Sequence, residues 1–323
     1  MRIAAQPHIV SIDEIREAAV RIRGVATRTP LLRWDDTTWL KPESLQPVGA
    51  FKMRGAYNKI ASLTDAERAR GVVTYSSGNH AQAVARAARL LGARAVICMP
   101  RDAPRVKIEG VERDGAEIQF TGMDSEERHV LAQRLVDERG LVMVEPYDDP
   151  AIIAGQGTCG LEIVEDLPEV TSVLIPTSGG GLSAGVATAV KALASSARVI
   201  GVEPELAADA KESLERDELV TWTAEQTGRT MADGLRTNSL GLLPFEHLRR
   251  FMDEIVTVSE DEMAEAMRQL ARRARLVVEP SGAAAMGAHL AESVTRDVDD
   301  KARVVVISGG NVDPELYVRI LAG

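Results

Sequence analysis

Aromatic side chains are scarce, with 3 Trp, 4 Tyr and 4 Phe in 323 residues, too few for a platform on which nucleic-acid bases could stack. Basic residues are outnumbered: 38 Lys plus Arg face 48 Asp plus Glu, a formal net charge of -10. That sign repels phosphate backbones and anionic lipid, which sets aside nucleic acid and the membrane surface as partners. Cysteine is nearly missing. Cys98 and Cys159 lie too far apart for a zinc-binding pair and are too few for a disulfide framework, so a reducing cytoplasm is the expected setting. No secretory leader is expected either, since charges enter the N-terminus from Asp13 onward. One uncharged run, 170–190, is long enough for a bilayer. Pro176 and Ser178-Gly179-Gly180-Gly181 break it into a strand, a loop and a helix start.

What is present is an alternation of short apolar strands and helical patterns. The chain is 45% hydrophobic and long enough for about two domains. Ser11-x-x-Glu14 and Ser259-x-x-Glu262 are capping boxes that predict helices over 12–23 and 259–275. Further helices are expected over 81–91, 124–139 and 182–194. Strands are expected at 72–75, 95–99, 117–120, 141–144, 173–175, 199–202, 255–258 and 304–307. Strand, helix, strand at this spacing means crossover units and an α/β fold with largely parallel sheets.

Parallel sheets bind ligands at the carboxyl ends of their strands. Three strand-to-helix loops are therefore the places to search: Ser76-Ser77-Gly78-Asn79-His80, Ser178-Gly179-Gly180-Gly181 and Ser308-Gly309-Gly310-Asn311. The second sits before a helix beginning near Leu182. Its unhindered amides and the helix dipole would suit an anion, a phosphate first of all, held without any Lys or Arg. A rival reading of the same loop is a dinucleotide fingerprint, Gly179-x-Gly181-x-x-Ala184, with Glu203 about 20 residues on. That would make the chain an NAD-binding oxidoreductase, but it leaves Lys52 and the other two loops without a role. An inert binding module keeping the fold is a third reading.

Lys41-Pro42-Glu43-Ser44-Leu45-Gln46 and Gly49-Ala50-Phe51-Lys52-Met53-Arg54-Gly55-Ala56 together resemble the cofactor-lysine segment of the fold-type II pyridoxal-phosphate enzymes. Ser76 to Ala83 resembles their asparagine loop, Ser178 to Leu182 their phosphate loop, and Ser308 to Asn311 the loop facing the pyridine nitrogen. The motifs stand in the family's order and cover nearly the whole chain. The branch they resemble holds serine racemases and serine/threonine dehydratases.

The resemblance implies two open, twisted, mainly parallel sheets with helices on both faces, similar to the tryptophan synthase beta chain. A large cofactor-binding domain would comprise 1–49 plus 145–323, and a small one 50–144 with the asparagine loop. Lys52 would hold pyridoxal 5'-phosphate as a Schiff base and then serve as the base at the substrate Cα. Phe51 would pack on the ring, Asn79 would hydrogen-bond its phenolic oxygen, and Ser178, Gly179, Gly180, Gly181 and Leu182 would supply amides to its phosphate. Ser308 would offer a hydroxyl to a neutral ring nitrogen, a weaker electron sink that suits prompt loss of a β-hydroxyl. Ser76, Ser77 and His80 would bind the substrate. The implied reaction removes water and ammonia from L-threonine or L-serine, or from 3-hydroxyaspartate, to give a 2-oxo acid.

Ser77 divides the branch. Racemase-like members carry serine there and many dehydratases alanine, so Ser77 is either a second acid/base on the opposite cofactor face or a carboxylate ligand. The resemblance also implies a Mg²⁺ or Ca²⁺ site at Glu203, Ala207 and Asp209, two carboxylates and a carbonyl being hard oxygen ligands. The bland alternative for these acids is a solvated loop. A homodimer is implied as well. Ser178 departs from the family's fourth glycine, and the sequence ends at Gly323, so an isoleucine-sensing regulatory domain is not expected.

Overall fold

The β-branched runs become strands of two separate sheets. A computed structural model of the chain describes residues 7–76, 78–101, 103, 105–122, 125–294 and 300–323. Its strands are β1 (Leu32–Arg33), β2 (Thr38–Pro42), β3 (Val72–Tyr75), β4 (Ala95–Pro100), β5 (Glu117–Thr121), β6 (Val142–Met143), β7 (Ser172–Pro176), β8 (Arg198–Pro204), β9 (Glu254–Val258) and β10 (Arg303–Ile307). A six-stranded sheet has the order β1-β2-β10-β7-β8-β9, and a four-stranded sheet the order β5-β4-β3-β6. All pairings are parallel except the β1–β2 hairpin at one edge.

Alternation along β10 shows how the large sheet is covered. Val305 and Ile307 pack with Leu174, Ile200 and helix Pro280–Leu290 on one face. Val304 and Val306 pack with Val173, Ile175 and helices Pro150–Asp166 and Gly181–Leu193 on the other. Both faces are dry, which is why β7 and β10 are buried along their whole length. The smaller sheet repeats the plan. Val72, Ile97 and Met99 meet helices Lys52–Ser62 and Asn79–Leu90, while Val73, Val96 and Cys98 meet Ala132 and Leu135 of helix Ser125–Arg139.

The eight expected strands are all present within two residues of their expected ends. Two strands at one side of the large sheet, β1 and β2, were not among those expected. Pro42 is the last residue of β2 and pairs with Ile307 in parallel register, a position that a proline tolerates. The first capping box is formed, and its helix ends at Arg21. The helix expected over 259–275 is regular only from Glu260 to Gln269. It then widens into a π turn, Leu270–Ala274, and Arg275 closes it at φ 60. Asp124, the expected start of another helix, lies outside the described residues. Among those residues no helix is long and apolar enough to cross a membrane; the uncharged run contains β7, a loop and helix Gly181–Leu193.

In chain order β7 is followed by β8 on one side, while β10 returns to its other side. That reversal opens a crevice at the carboxyl ends of β7 and β10, where loops can meet a ligand.

Candidate active site

Lys52 is the first residue of helix Lys52–Ser62, whose N-cap, Phe51, has no side-chain capping bond. The segment before it is tied to the end of β10. The Phe51 amide donates to Ser308 O at 3.0 Å and the Gly310 amide to Gly49 O at 2.8 Å. So Lys52 and the Ser308 loop, 256 positions apart in sequence, are neighbours through backbone. Lys52 Nζ donates to Pro146 O at 2.6 Å and stands 5.1 Å from the centre of the Phe51 ring. Burial lowers the ammonium to about 8, which puts a usable fraction of free amine near neutral pH.

The glycine loop joins this centre through Tyr147, next to Pro146. A side chain at Gly179 would meet the Tyr147 ring at 2.5 Å, so the loop lies flat on that ring. Gly180 is the N-cap of helix Gly181–Leu193 at φ 92, a left-handed conformation that glycine adopts without penalty. That turn aims the first helical amides, at Gly181 and Leu182, outward with no partner within the helix. Leu182 is buried. Ser178 Oγ is engaged with Thr237 Oγ1 at 2.6 Å.

Asn79 opens helix Asn79–Leu90 after Gly78, two residues earlier than the expected start at 81. Its Oδ1 accepts from Asn311 Nδ2 at 2.8 Å, and its Nδ2 donates to Glu279 Oε1 at 2.6 Å. Ser308 is 5% exposed, at the floor of the same group. His80 is buried, with Nε2 3.1 Å from Val144 O. Burial first and Lys52 second push its imidazole down to about 3, so it is neutral. Ser76 Oγ accepts from the Gly78 amide at 3.2 Å. Ser77 lies outside the described residues.

Glu203, at the carboxyl end of β8, is fully buried, as are Ala207 and Asp209. Its carboxylate accepts from the amides of Ala210 at 3.1 Å and Lys211 at 2.7 Å. Both carboxylate oxygens of Asp209 are buried without a hydrogen-bond partner. Burial, then Asp209, raises the Glu203 carboxyl well above its ordinary range, and burial raises Asp209 to about 7. Solvated loop acids would show none of this, so the bland alternative is set aside. The dinucleotide reading fails at the same residue, because a Glu203 buried on its own loop amides is not presented to a ribose.

Two residues escaped the sequence reading. Tyr147 gave no signal beyond its nearness to the Asp149-Pro150 helix start. Glu279 stands before Pro280 and looks like a helix cap, but its side chain makes no cap bond. It reaches Asn79 instead, and burial, then Asp233, lifts its carboxyl to about 7.

The donor set suits pyridoxal phosphate: a lysine of lowered basicity, uncharged amides at a helix start for a phosphate, and an asparagine with one N–H to spare. Lys52, Phe51, Asn79, Ser308 and the 178–182 loop would hold it. Comparison with known proteins agrees. The pyridoxal-phosphate dependent enzyme family matches residues 22–310. The chain is 41% identical over 320 residues to the L-threonine ammonia-lyase of Thermotoga maritima, covering 97% of this chain and 78% of that protein. The crystal structure of a T.th. threonine deaminase superposes with a TM-score of 0.87 at 42% identity, over 94% of this chain and 99% of that one. Maize serine racemase gives 0.90 at 36% identity, over 98% of each. The chain therefore belongs to the fold-type II pyridoxal-phosphate dependent enzymes, in the branch that holds threonine dehydratases and serine racemases.

Proposed function

We propose that the protein is an ammonia-lyase that converts L-threonine and L-serine into 2-oxo acids and ammonia. The observation that carries this is the 41% identity over 320 residues to an L-threonine ammonia-lyase, in a chain where Lys52, Asn79 and Ser308 meet. Pyridoxal phosphate, when bound, would supply an electron sink that acidifies the substrate Cα proton. Lys52, with burial lowering its basicity, takes that proton. Ser76 and the start of helix Asn79–Leu90 receive the substrate carboxylate, and neutral His80 adds no competing charge. The Cβ–O bond then breaks, the hydroxyl leaves as water with one proton returned for the one removed from Cα, and the released enamine takes up water and loses ammonia. Ser308 would offer the ring nitrogen a neutral hydroxyl, which would favour that elimination over longer-lived carbanion chemistry.

Glu203, Asp209 and the Ala207 carbonyl are proposed to hold Mg²⁺ or Ca²⁺. Two buried carboxylates, one of them unpartnered, support this, since a divalent cation supplies the missing charge. The division into 1–49 plus 145–323 and 50–144 is supported by β3 to β6 all falling within the second segment. A homodimer belongs to the same reading through the family resemblance alone, and a cytoplasmic setting through the scarcity of cysteine. Action on 3-hydroxyaspartate is left to assay.

A racemase reading has its own support in Ser77 and in the likeness to maize serine racemase. Ser77→Ala separates the two. If Ser77 is a second acid/base, the variant stops interconversion of L- and D-serine and spares elimination from L-serine; a uniform loss leaves a plain lyase. The test of the main reading is the visible band of the purified protein, its fixation onto Lys52 by borohydride, and 2-oxobutanoate release from L-threonine. Lys52→Ala should fold and lose about 10²–10⁴-fold in elimination. A colourless protein that binds NAD, or residual activity within about tenfold of the parent, would overturn it.

A further inference from the structure

An asparagine amide at the first turn of a helix has no preferred face, and it offers a hydrogen on one side and a lone pair on the other. Asn79 is fixed by residues 232 and 200 positions away. Asn311 Nδ2 donates to Val48 O at 2.8 Å and to Asn79 Oδ1 at 2.8 Å. Both hydrogens of that nitrogen are thereby used, so Asn311 cannot turn to present its carbonyl. Asn79 must face it with Oδ1. On the other side Asn79 Nδ2 donates to Glu279 Oε1 at 2.6 Å, and an ionised carboxylate oxygen only accepts. Gly309 makes the approach possible: a Cβ there would lie 2.1 Å from Glu279 Oε1 and 3.1 Å from Asn79 Nδ2.

We infer that Glu279 and Asn311 are positioning residues that lock the Asn79 amide so that one N–H remains for the cofactor's phenolic oxygen. The inference rests on the reading of Lys52 and Asn79 given above. Its physical content is a sign. A flipped amide would set an oxygen lone pair against a phenolate, where the locked amide offers a hydrogen bond. Cofactor affinity and the ionisation of the phenolic oxygen, seen in the balance of visible and near-ultraviolet absorption, therefore depend on residues that need not touch the cofactor.

The experiment titrates pyridoxal phosphate into cofactor-stripped protein and follows the absorption spectrum of the reloaded enzyme across pH. Asn311→Ala and Glu279→Met should each weaken binding about tenfold, the scale of one hydrogen bond to a charged group, and shift the spectral pH profile. Glu279→Gln keeps an acceptor and should restore both. In an Asn79→Ala background neither change should have further effect, because a positioning residue acts only through what it positions. Effects that add fully to Asn79→Ala, or variants whose spectra match the parent while Asn79→Ala shifts, overturn the inference. An Asn79→Ala enzyme with unchanged affinity and spectrum overturns the underlying reading of Asn79 instead. If Glu279→Met does not fold, Asn311→Ala decides through the same cycle.

Discussion

Among the described residues, the buried carboxylates Glu43 and Glu162 are treated in the opposite way to the buried pair Glu203 and Asp209. Glu43 and Glu162 face Arg54 and Lys41. Arg54 donates to Glu43 at 2.7 and 2.8 Å and to Glu162 at 2.7 and 2.8 Å. Lys41 Nζ completes the set with Glu162 at 2.6 Å and Thr29 O at 2.7 Å. Thr29 and Gln46 saturate the remaining sites on Glu43. Two negative charges meet two positive ones, and burial of Glu43 is outweighed by Arg54, so its carboxyl lies below the ordinary range. Glu203 and Asp209 have backbone amides on one member and nothing on the other, and both are raised. The first group is a finished structural element. The second has no cation bonded to it among the described residues.

The largest effect expected from this contrast follows removal of Arg54. Arg54→Met leaves Glu43 and Glu162 with Lys41 alone, and stripping one partner from a buried ionic group costs about 3–5 kcal/mol. Domains are stable by about 5–15 kcal/mol, so the variant should lie near the edge of folding, as measured by urea unfolding. Adding Glu43→Gln should recover part of the loss. A cost below about 1 kcal/mol would mean that the network is solvated, and the comparison would fail.

Next in size is the effect of a cation. Mg²⁺ or Ca²⁺ at about a hundred times its dissociation constant should stabilise the chain by about 2.7 kcal/mol by mass action, read as a rise in Tm that a chelator reverses. Glu203→Gln with Asp209→Asn should abolish the response and raise the stability of the cation-free chain, since the repulsion goes with the charges. A response that survives the double change places the ion elsewhere.

The same pair fixes a pH dependence of defined sign. Asp209 rises from its ordinary 3.8 to about 7 on folding, so the unfolded chain gives up that proton first. Without cation, stability should fall as pH rises from about 4 to about 7, and Glu203, raised in the same direction, adds to the fall. Glu43, shifted the other way, should lose its contribution as pH falls below the ordinary carboxylate range. Glu279 is also raised, so the informative quantity is the difference between unfolding curves with Mg²⁺ and with chelator. A difference that does not grow over this window would contradict the assignment.

The contrast also shows what was legible in the sequence. The motif around Lys52 was visible as a string, but half of it is not catalytic: Lys41, Glu43, Gln46 and Arg54 build the neutral network that anchors the helix bearing Lys52. A string cannot separate the residue that reacts from those that hold it. Central strands such as β7 and β10 were legible because burial on both faces writes continuous Val and Ile runs. Helices Pro150–Asp166 and Pro280–Leu290 were less so, since burial nearly all round erases the amphipathic signal. Glu279 was hidden because its partner, Asn79, is 200 residues away, and Tyr147 because its work is to back a loop by contact.

The smallest expected effect sharpens the comparison by changing burial alone. Arg28 also faces two carboxylates, Glu165 at 2.7 Å and Asp166 at 2.5 Å, the same chemistry as Arg54. Its side chain is 50% exposed, where that of Arg54 is 0% exposed. Water already solvates both partners, and ordering a long side chain offsets part of the attraction, so Arg28→Ala should cost about 0–1 kcal/mol. That small cost should shrink further in salt, because the Debye length falls from about 10 Å at 0.1 M to about 3 Å at 1 M. The Arg54→Met cost, screened by protein instead of solvent, should hardly change with salt. Urea unfolding of both variants at low and high salt makes the test. Equal losses, or a salt-sensitive loss at Arg54, would show that burial is not what separates a structural ion network from a surface pair.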